Sequence, residues 1–315
     1  MTRKAPLAIC VFMLVAAALL LCACFGAAQG GTHKSLFSAQ APTASASTSS
    51  SDDSGALEGG TEKHEDYKKR VVWFKRGKNR IYSELYLPEG VEDPELVVMC
   101  HGLGGDVSYV TSCAKRFVKK GYAVLALDFC GGGPTSRSDG ETTDMSIMTE
   151  VADLEAVLDQ VGKLKAPDTS QITLFGESQG GVVASIVAAR QGQNIKRLIL
   201  FYPAYSLIDD LHYAFKSLEN VPERFWYADW LCLGKKYAED IWDFKFEDVI
   251  GAYTGPVLLV HGTSDTVVDL SYSERAKAVY QNAELHYIQG GKHGFSGDYL
   301  EQAINITLDF LNRNP

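Results

Sequence analysis

"LFGESQGGVV", residues 174–183, sets one serine among glycines, between an apolar run and a segment rich in valine and alanine. A serine hydroxyl is a weak nucleophile until a base takes its proton, so a reactive serine has to project to where a histidine can reach it. A sharp strand-to-helix turn achieves this. Gly176 and Gly180 remove the Cβ atoms that would collide as such a turn packs, while the strained backbone pushes Ser178 outward. The helix opening there aims its first N–H groups at the same point, which favours a developing negative charge.

The surroundings carry the same alternation. "RVVWFKR" (70–76) and "RIYSELYLP" (80–88) are β-branched and aromatic runs around Gly77-Lys78-Asn79, the pattern of a hairpin. "LVVMC" (96–100) precedes a helix around Tyr109–Lys120, and "AVLALD" (123–128) precedes one with Ile147, Val151, Leu154, Leu158 and Val161 on a single face. "ITLF" (172–175) leads into Ser178–Arg190, "RLILFY" (197–202) into a long irregular region, and "PVLLVHG" (256–262) into Ser271–Tyr280. "LHYI" (285–288) precedes a terminal helix striped with Leu300, Ala303, Ile304, Thr307, Leu308 and Leu311. Short, continuously apolar strands alternating with helices predict an α/β domain, a mostly parallel sheet with helices on both faces.

In such sheets the loops at the carboxyl ends of the strands converge, and chemistry is expected there. At successive strand ends stand His101-Gly102-Leu103-Gly104-Gly105, Asp128, Ser178, Asp265 in "HGTSDTVV" and His293 in "GGKHGF". Serine, acid and histidine follow one another in chain order. In this the chain resembles the α/β-hydrolase superfamily from about Arg70 to Leu311. More narrowly, "GESQGGVVAS", "HGTSDTVV" and "YQNAELHYIQGGKHGFSGDYLEQAINITLDFL" resemble bacterial serine esterases of the cinnamoyl or feruloyl esterase group. Two features depart from that group: Glu177, where many members carry histidine, and "CGGGPTSRSDG" after Asp128, where a simpler Gly-x-Gly loop is frequent.

The resemblance implies a role for each residue. Ser178 would be the nucleophile, His293 the general base, and Asp265 the group that fixes the imidazole tautomer. Asp128 also ends a strand; Asp265 is preferred because it follows the strand next before the histidine loop. The main-chain N–H groups of Leu103 and Gln179 would form the oxyanion hole, since family members build it from these two loops. His101 and His261 are expected to be structural, bonded to the backbone of the loops they begin. Residues from about 203 to 253, after the sixth predicted strand, would form a cap. They hold three of the four tryptophans, including Trp226 and Trp230, so the cap suggests either a pocket for an aromatic or apolar group or simply its own small core.

Composition narrows the function. A net charge of −9 and the lack of a basic stripe argue against nucleic acid as a partner. Arg3 and Lys4 before the uncharged stretch Ala5–Ala23 read as an export signal, and Leu21-Cys22-Ala23-Cys24 resembles a bacterial lipoprotein box with Cys24 as lipid acceptor. Cleavage near Ala28 or an uncleaved anchor are the alternatives. The expected organisation is a signal over 1–23, a Ser/Thr/Ala/Gly-rich flexible tether over 24–65, and a catalytic domain over 66–315. Cys100, Cys113, Cys130 and Cys232 lack metal-ligand spacing, and export would permit three full disulfide pairings among them. "CGGGP" (130–134) has no Lys-Ser/Thr of a phosphate loop, and no cofactor or metal is expected.

The expected activity is hydrolysis of small-molecule carboxylic esters through an acyl-serine, by a protein exported and lipid-anchored on the outer face of a bacterial membrane. Amidase, exopeptidase-like or thioester hydrolysis on the same scaffold is one rival. A surface binding protein with a non-catalytic hydrolase body is another.

Overall fold

Runs of β-branched and apolar residues with no polar interruption form strands only where both faces are covered, and β4 (Glu95–Cys100) shows this directly. Leu96, Val98 and Cys100 pack to one side and Val97 and Met99 to the other, each fully buried. The computed structural model describes residues 57–315. Its sheet has nine strands in the order β1-β2-β3-β5-β4-β6-β7-β10-β11. These are β1 (Leu57–Lys63), β2 (Tyr67–Arg76), β3 (Asn79–Pro88), β4, β5 (Ala123–Leu127), β6 (Asp168–Glu177), β7 (Ile195–Phe201), β10 (Val257–Gly262) and β11 (Ala283–Ile288). From β5 to β11 across the sheet every neighbouring pair is parallel, while β1, β2 and β3 run antiparallel at one edge. The expected mostly parallel α/β sheet is therefore present.

Helices α1 (Val107–Val118) and α8 (Gly297–Arg313) cover one face. Helices α2 (Ile147–Val161) and α3 (Gln179–Gln191) cover the other. Each buried aliphatic side chain in these layers contributes about 1.5–3 kcal/mol. Arg197, almost fully buried, ties the far end of the sheet to the C-terminus. Its guanidinium donates to Thr173 Oγ1 (3.0 Å), to the Leu311 carbonyl (3.3 Å) and to the Asn314 carbonyl (2.6 Å), and pairs with Glu95.

Between β7 and β10 the chain builds the cap from α4 (Leu207–Phe215), a hairpin of β8 (Arg224–Tyr227) and β9 (Leu231–Gly234), α5 (Lys235–Glu239) and α6 (Glu247–Ile250). Helix α7 (Ser271–Val279) follows β10. The cap follows the seventh strand, not the sixth as expected, because β1 adds one. That strand lies in what reads as tether. It is polar and pairs with β2 through the main chain, which apolar patterning does not report. The export signal, Cys24 and the tether up to residue 56 lie outside the described residues. Among the described residues no helix is long and apolar enough to cross a membrane, and Cys100, Cys113, Cys130 and Cys232 are all free thiols.

Candidate active site

Ser178 sits between the end of β6 and the start of α3 with φ 52° and ψ −124°, a region a residue with a Cβ rarely occupies. The neighbouring glycines make room for it. A Cβ at Gly176 would strike the Gly180 carbonyl, and one at Gly180 would strike the carbonyls of Cys100 and His101 at the end of β4. The turn is held by Ser178 N–H donating to the Phe201 carbonyl (3.0 Å), while the Ser178 carbonyl accepts from Gly181 and Ala204 N–H, each at 3.0 Å.

Ser178 Oγ lies 3.0 Å from His293 Nε2, and His293 Nδ1 lies 2.8 Å from Asp265 Oδ2. Three residues from three strand ends meet at one edge of the sheet. In this order an imidazole can take a serine proton while a carboxylate holds its tautomer. Asp265 is 1% exposed at its side chain. Its Oδ1 accepts from the N–H groups of Val267 (2.8 Å) and Val268 (3.0 Å). Burial alone would push this carboxyl up; the bonds from His261 and His293, with the backbone donors, outweigh it and hold the group well below the usual carboxylate range. Asp128 is elsewhere. Its carboxylate accepts from Val107 N–H (2.7 Å) and from Arg137 N–H (2.8 Å), joining the start of α1 to the 130–140 loop.

The other two strand-end histidines, His101 and His261, are bonded differently. His101 is bonded as expected: Phe129 N–H donates to Nε2 (3.2 Å), so Nδ1 carries the proton and donates to the Gly102 carbonyl (2.8 Å). Burial lowers its proton affinity and keeps it neutral. His261 has the expected backbone contact and a second one that was not expected. Its Nε2 faces the Val268 carbonyl (3.1 Å) but also Asp265 Oδ2 (3.2 Å), and Nδ1 faces Ser273 Oγ (2.7 Å). Both groups near Nε2 are acceptors, so that nitrogen carries the proton and Asp265 Oδ2 receives two histidines. The spacing of four residues in "HGTSD" was the only sequence sign of this contact.

The loop holding Leu103 presses against the serine. A Cβ on Gly102 would stand 3.1 Å from Ser178 Cβ and 3.6 Å from its Oγ. The N–H groups of Leu103 and Gln179 thus belong to the two segments that flank Ser178 Oγ. The Gln179 side chain turns inward, its Nε2 donating to Glu150 Oε2 (2.9 Å) and its Oε1 accepting from Tyr237 Oη (2.6 Å) of the cap. Burial holds the Glu150 carboxyl well above its ordinary value despite the Gln179 bond.

Cap and catalytic edge also meet at Trp230. Gly104 has φ +72°, and a Cβ there would enter the Trp230 ring. Trp230 follows the β8–β9 turn, in which Ala228 and Asp229 both have positive φ (49° and 59°). Its indole N–H is buried without a hydrogen-bond partner. Several cap rings pack instead into the core on this face of the sheet: Tyr205 stacks on Phe246 at 4.2 Å, and its hydroxyl meets Ser185 Oγ of α3 at 2.6 Å. Among the described residues no three His, Cys, Asp or Glu side chains are grouped as metal ligands are.

A nine-stranded, mostly parallel sheet with this turn at its centre and a cap between β7 and β10 is the α/β-hydrolase fold. The family model described as serine aminopeptidase, S33 (Hydrolase_4) matches residues 92–237. The solved structure of Est1E from Butyrivibrio proteoclasticus with ferulic acid bound superposes with a TM-score of 0.69 at 25% identity, covering 76% of this chain and 99% of that one. A 2-hydroxy-6-oxononadienedioate/2-hydroxy-6-oxononatrienedioate hydrolase of Paraburkholderia xenovorans is 24% identical over 279 residues, covering 77% of this chain and 94% of that protein. The caffeoylshikimate esterase of Arabidopsis thaliana is 32% identical over 117 residues, 36% of this chain and 34% of that enzyme.

Proposed function

We propose that this chain is a serine hydrolase that cleaves carboxylic esters through an acyl-serine. The observation that carries the reading is the unbroken path from Asp265 Oδ2 to His293 Nδ1 (2.8 Å) and from His293 Nε2 to Ser178 Oγ (3.0 Å). Ser178 Oγ attacks the ester carbonyl as His293 Nε2 takes its proton, and the carbonyl oxygen becomes an oxyanion facing the Leu103 and Gln179 N–H groups. Collapse breaks the bond to the alcohol oxygen, which leaves with the proton from His293. Water then gives one proton to His293 and its hydroxide to the acyl carbon. The second collapse releases the carboxylic acid and returns the proton to Ser178. Asp265, held anionic by its four donors, stabilises the imidazolium in both halves.

Esters are favoured over amides by the esterase among the relatives and by the ferulic acid in the Est1E structure. The Trp230 ring beside Gly104 supports an aromatic acyl group. A panel of chromogenic acetate, longer acyl and cinnamoyl-type esters, assayed with the wild type and Ser178→Ala, tests this. Turnover of aromatic acyl esters that vanishes in the variant is expected; turnover of aminoacyl anilides with none of esters would move the activity to the peptidase side. The same proposal places the body outside the cell, with residues 1–23 as export signal and Cys24 as the lipidated residue anchoring it to a membrane. Mass spectrometry of the mature N-terminus should find a diacylglyceryl group on Cys24. An unmodified terminus near Gln29 would discard the anchor.

A further inference from the structure

A second pair of polar groups braces the histidine loop from within the protein. Glu177 is the last residue of β6, directly before Ser178, and is 8% exposed. Its Oε2 accepts a hydrogen bond from Tyr202 Oη at 3.0 Å. Tyr202 directly follows β7, is 4% exposed, and has φ 37°, a left-handed value that a residue with a Cβ holds only when its surroundings impose it. The imposition is visible. Tyr202 N–H donates to the Val260 carbonyl of β10 at 2.8 Å, its ring lies 4.7 Å from the His293 ring, and it meets Phe295 edge-on at 4.8 Å. One side chain therefore reaches from the residue before the serine to the rings of His293 and Phe295.

We propose that Tyr202, anchored by Glu177, is a positioning residue for His293. It sets the seat of the imidazole relative to Ser178. This rests on the reading of Ser178 and His293 as nucleophile and base. The ring contact alone defines only the plane on which the imidazole rests; the bond to Glu177 fixes the far end of the phenol, and the edge-on Phe295 ring holds the loop against the same side chain. The Glu177 carboxyl has a single side-chain partner, and that partner bears on the base. Of the groups facing Glu177, the Cys113 thiol from α1 and the Tyr202 phenol are both kept neutral by burial, and Arg116 and Glu301 beyond Cys113 pair with each other. Glu177 itself is pushed up to about 7 by burial, against the Tyr202 bond. It is thus the group in this set that changes charge near neutrality.

The test compares Tyr202→Phe, Glu177→Gln, Glu177→Leu and the double variant Tyr202→Phe/Glu177→Gln with the full-length wild type, following kcat and KM on one chromogenic ester. Tyr202→Phe removes only the hydroxyl and should lower kcat about tenfold with KM within about twofold, the effect of one hydrogen bond to a charged group. Glu177→Gln keeps an acceptor for Tyr202 and should hold kcat within about twofold, whereas Glu177→Leu removes the acceptor and should lower kcat as Tyr202→Phe does, again with KM within about twofold. The double variant should be no slower than Tyr202→Phe. An active wild type in which Tyr202→Phe leaves kcat unchanged would overturn the proposal alone. A folded wild type that neither hydrolyses esters nor reacts with a fluorophosphonate would remove the functional reading beneath it as well. If Tyr202→Phe fails to fold, Glu177→Leu against Glu177→Gln decides: a loss of kcat confined to the leucine variant is expected, and equal kcat in both would overturn the proposal.

Discussion

Replacing Asp265 by asparagine exchanges one oxygen for an amide, and the site leaves that amide no good orientation. The carboxylate receives Val267 and Val268 N–H on Oδ1 and His293 and His261 on Oδ2. If the asparagine oxygen keeps the two backbone donors, its NH2 group faces the histidines. His293 Nδ1 must then accept, the ring proton moves to Nε2, and nothing is left to take the proton of Ser178. If the amide is reversed, the histidine tautomer survives but two buried N–H groups point at an NH2. Each such donor costs about 1–3 kcal/mol, so the productive orientation lies about 4 kcal/mol higher. That is about 10³-fold in kcat. Steady-state turnover of a chromogenic ester by Asp265→Asn, with circular dichroism to confirm the fold, measures it. A folded variant within tenfold of the wild type refutes the reasoning. Asp128→Asn, whose carboxylate serves Val107 and Arg137, should keep kcat within about tenfold; the opposite pattern would transfer the role to Asp128.

Three further outcomes follow from the packing and the charges. Gly104→Ala should lower kcat/KM on aromatic esters about 100-fold, through its positive φ and the collision with Trp230, and should cost less in a Trp230→Ala background; equal losses in both backgrounds would separate the two residues. Glu177 has its carboxyl at about 7 in the fold against an ordinary 4.5, so its contribution to stability is complete below about pH 4.5 and is lost as pH rises to 7. Urea titrations should therefore show Glu177→Gln gaining on the wild type by about 3 kcal/mol between pH 4 and pH 8, and a constant gap would contradict the assignment. Arg197→Met should cost about 2–3 kcal/mol, because Thr173 Oγ1 and two C-terminal carbonyls lose their donor while Glu95 keeps Lys196, and a melt within a degree of the wild type would contradict that.

The sheet was legible because strands buried on both faces cannot avoid continuous apolar runs, and the order of reactive residues was legible because each stands at a strand end. Other parts leave weaker marks. Strand β1 pairs through its backbone and is mostly polar in sequence, so it reads like the Ser/Thr/Ala/Gly-rich sequence that precedes it. The β8–β9 hairpin turns at Ala228-Asp229 without a glycine; its strain is offset by tertiary packing, and the sequence offers no turn signal there. His261 reads as one more loop histidine until the chain after β10 curls back and places Asp265 against its Nε2. Glu177 and Tyr202 come from strands β6 and β7, and only the register of that parallel pair brings them together, with Glu177 opposite Phe201. Side chains that act across strands become visible only once the pairing is known.

The account depends most on Ser178 being the reactive alcohol. Incubating the purified protein with a fluorophosphonate and locating the adduct by peptide mass spectrometry tests this in one step. The predicted result is a single phosphonyl group on the peptide carrying Ser178, absent in Ser178→Ala and strongly slowed in His293→Ala. A folded protein that takes up no label, or carries it on another residue with Ser178 free, would contradict the mechanism.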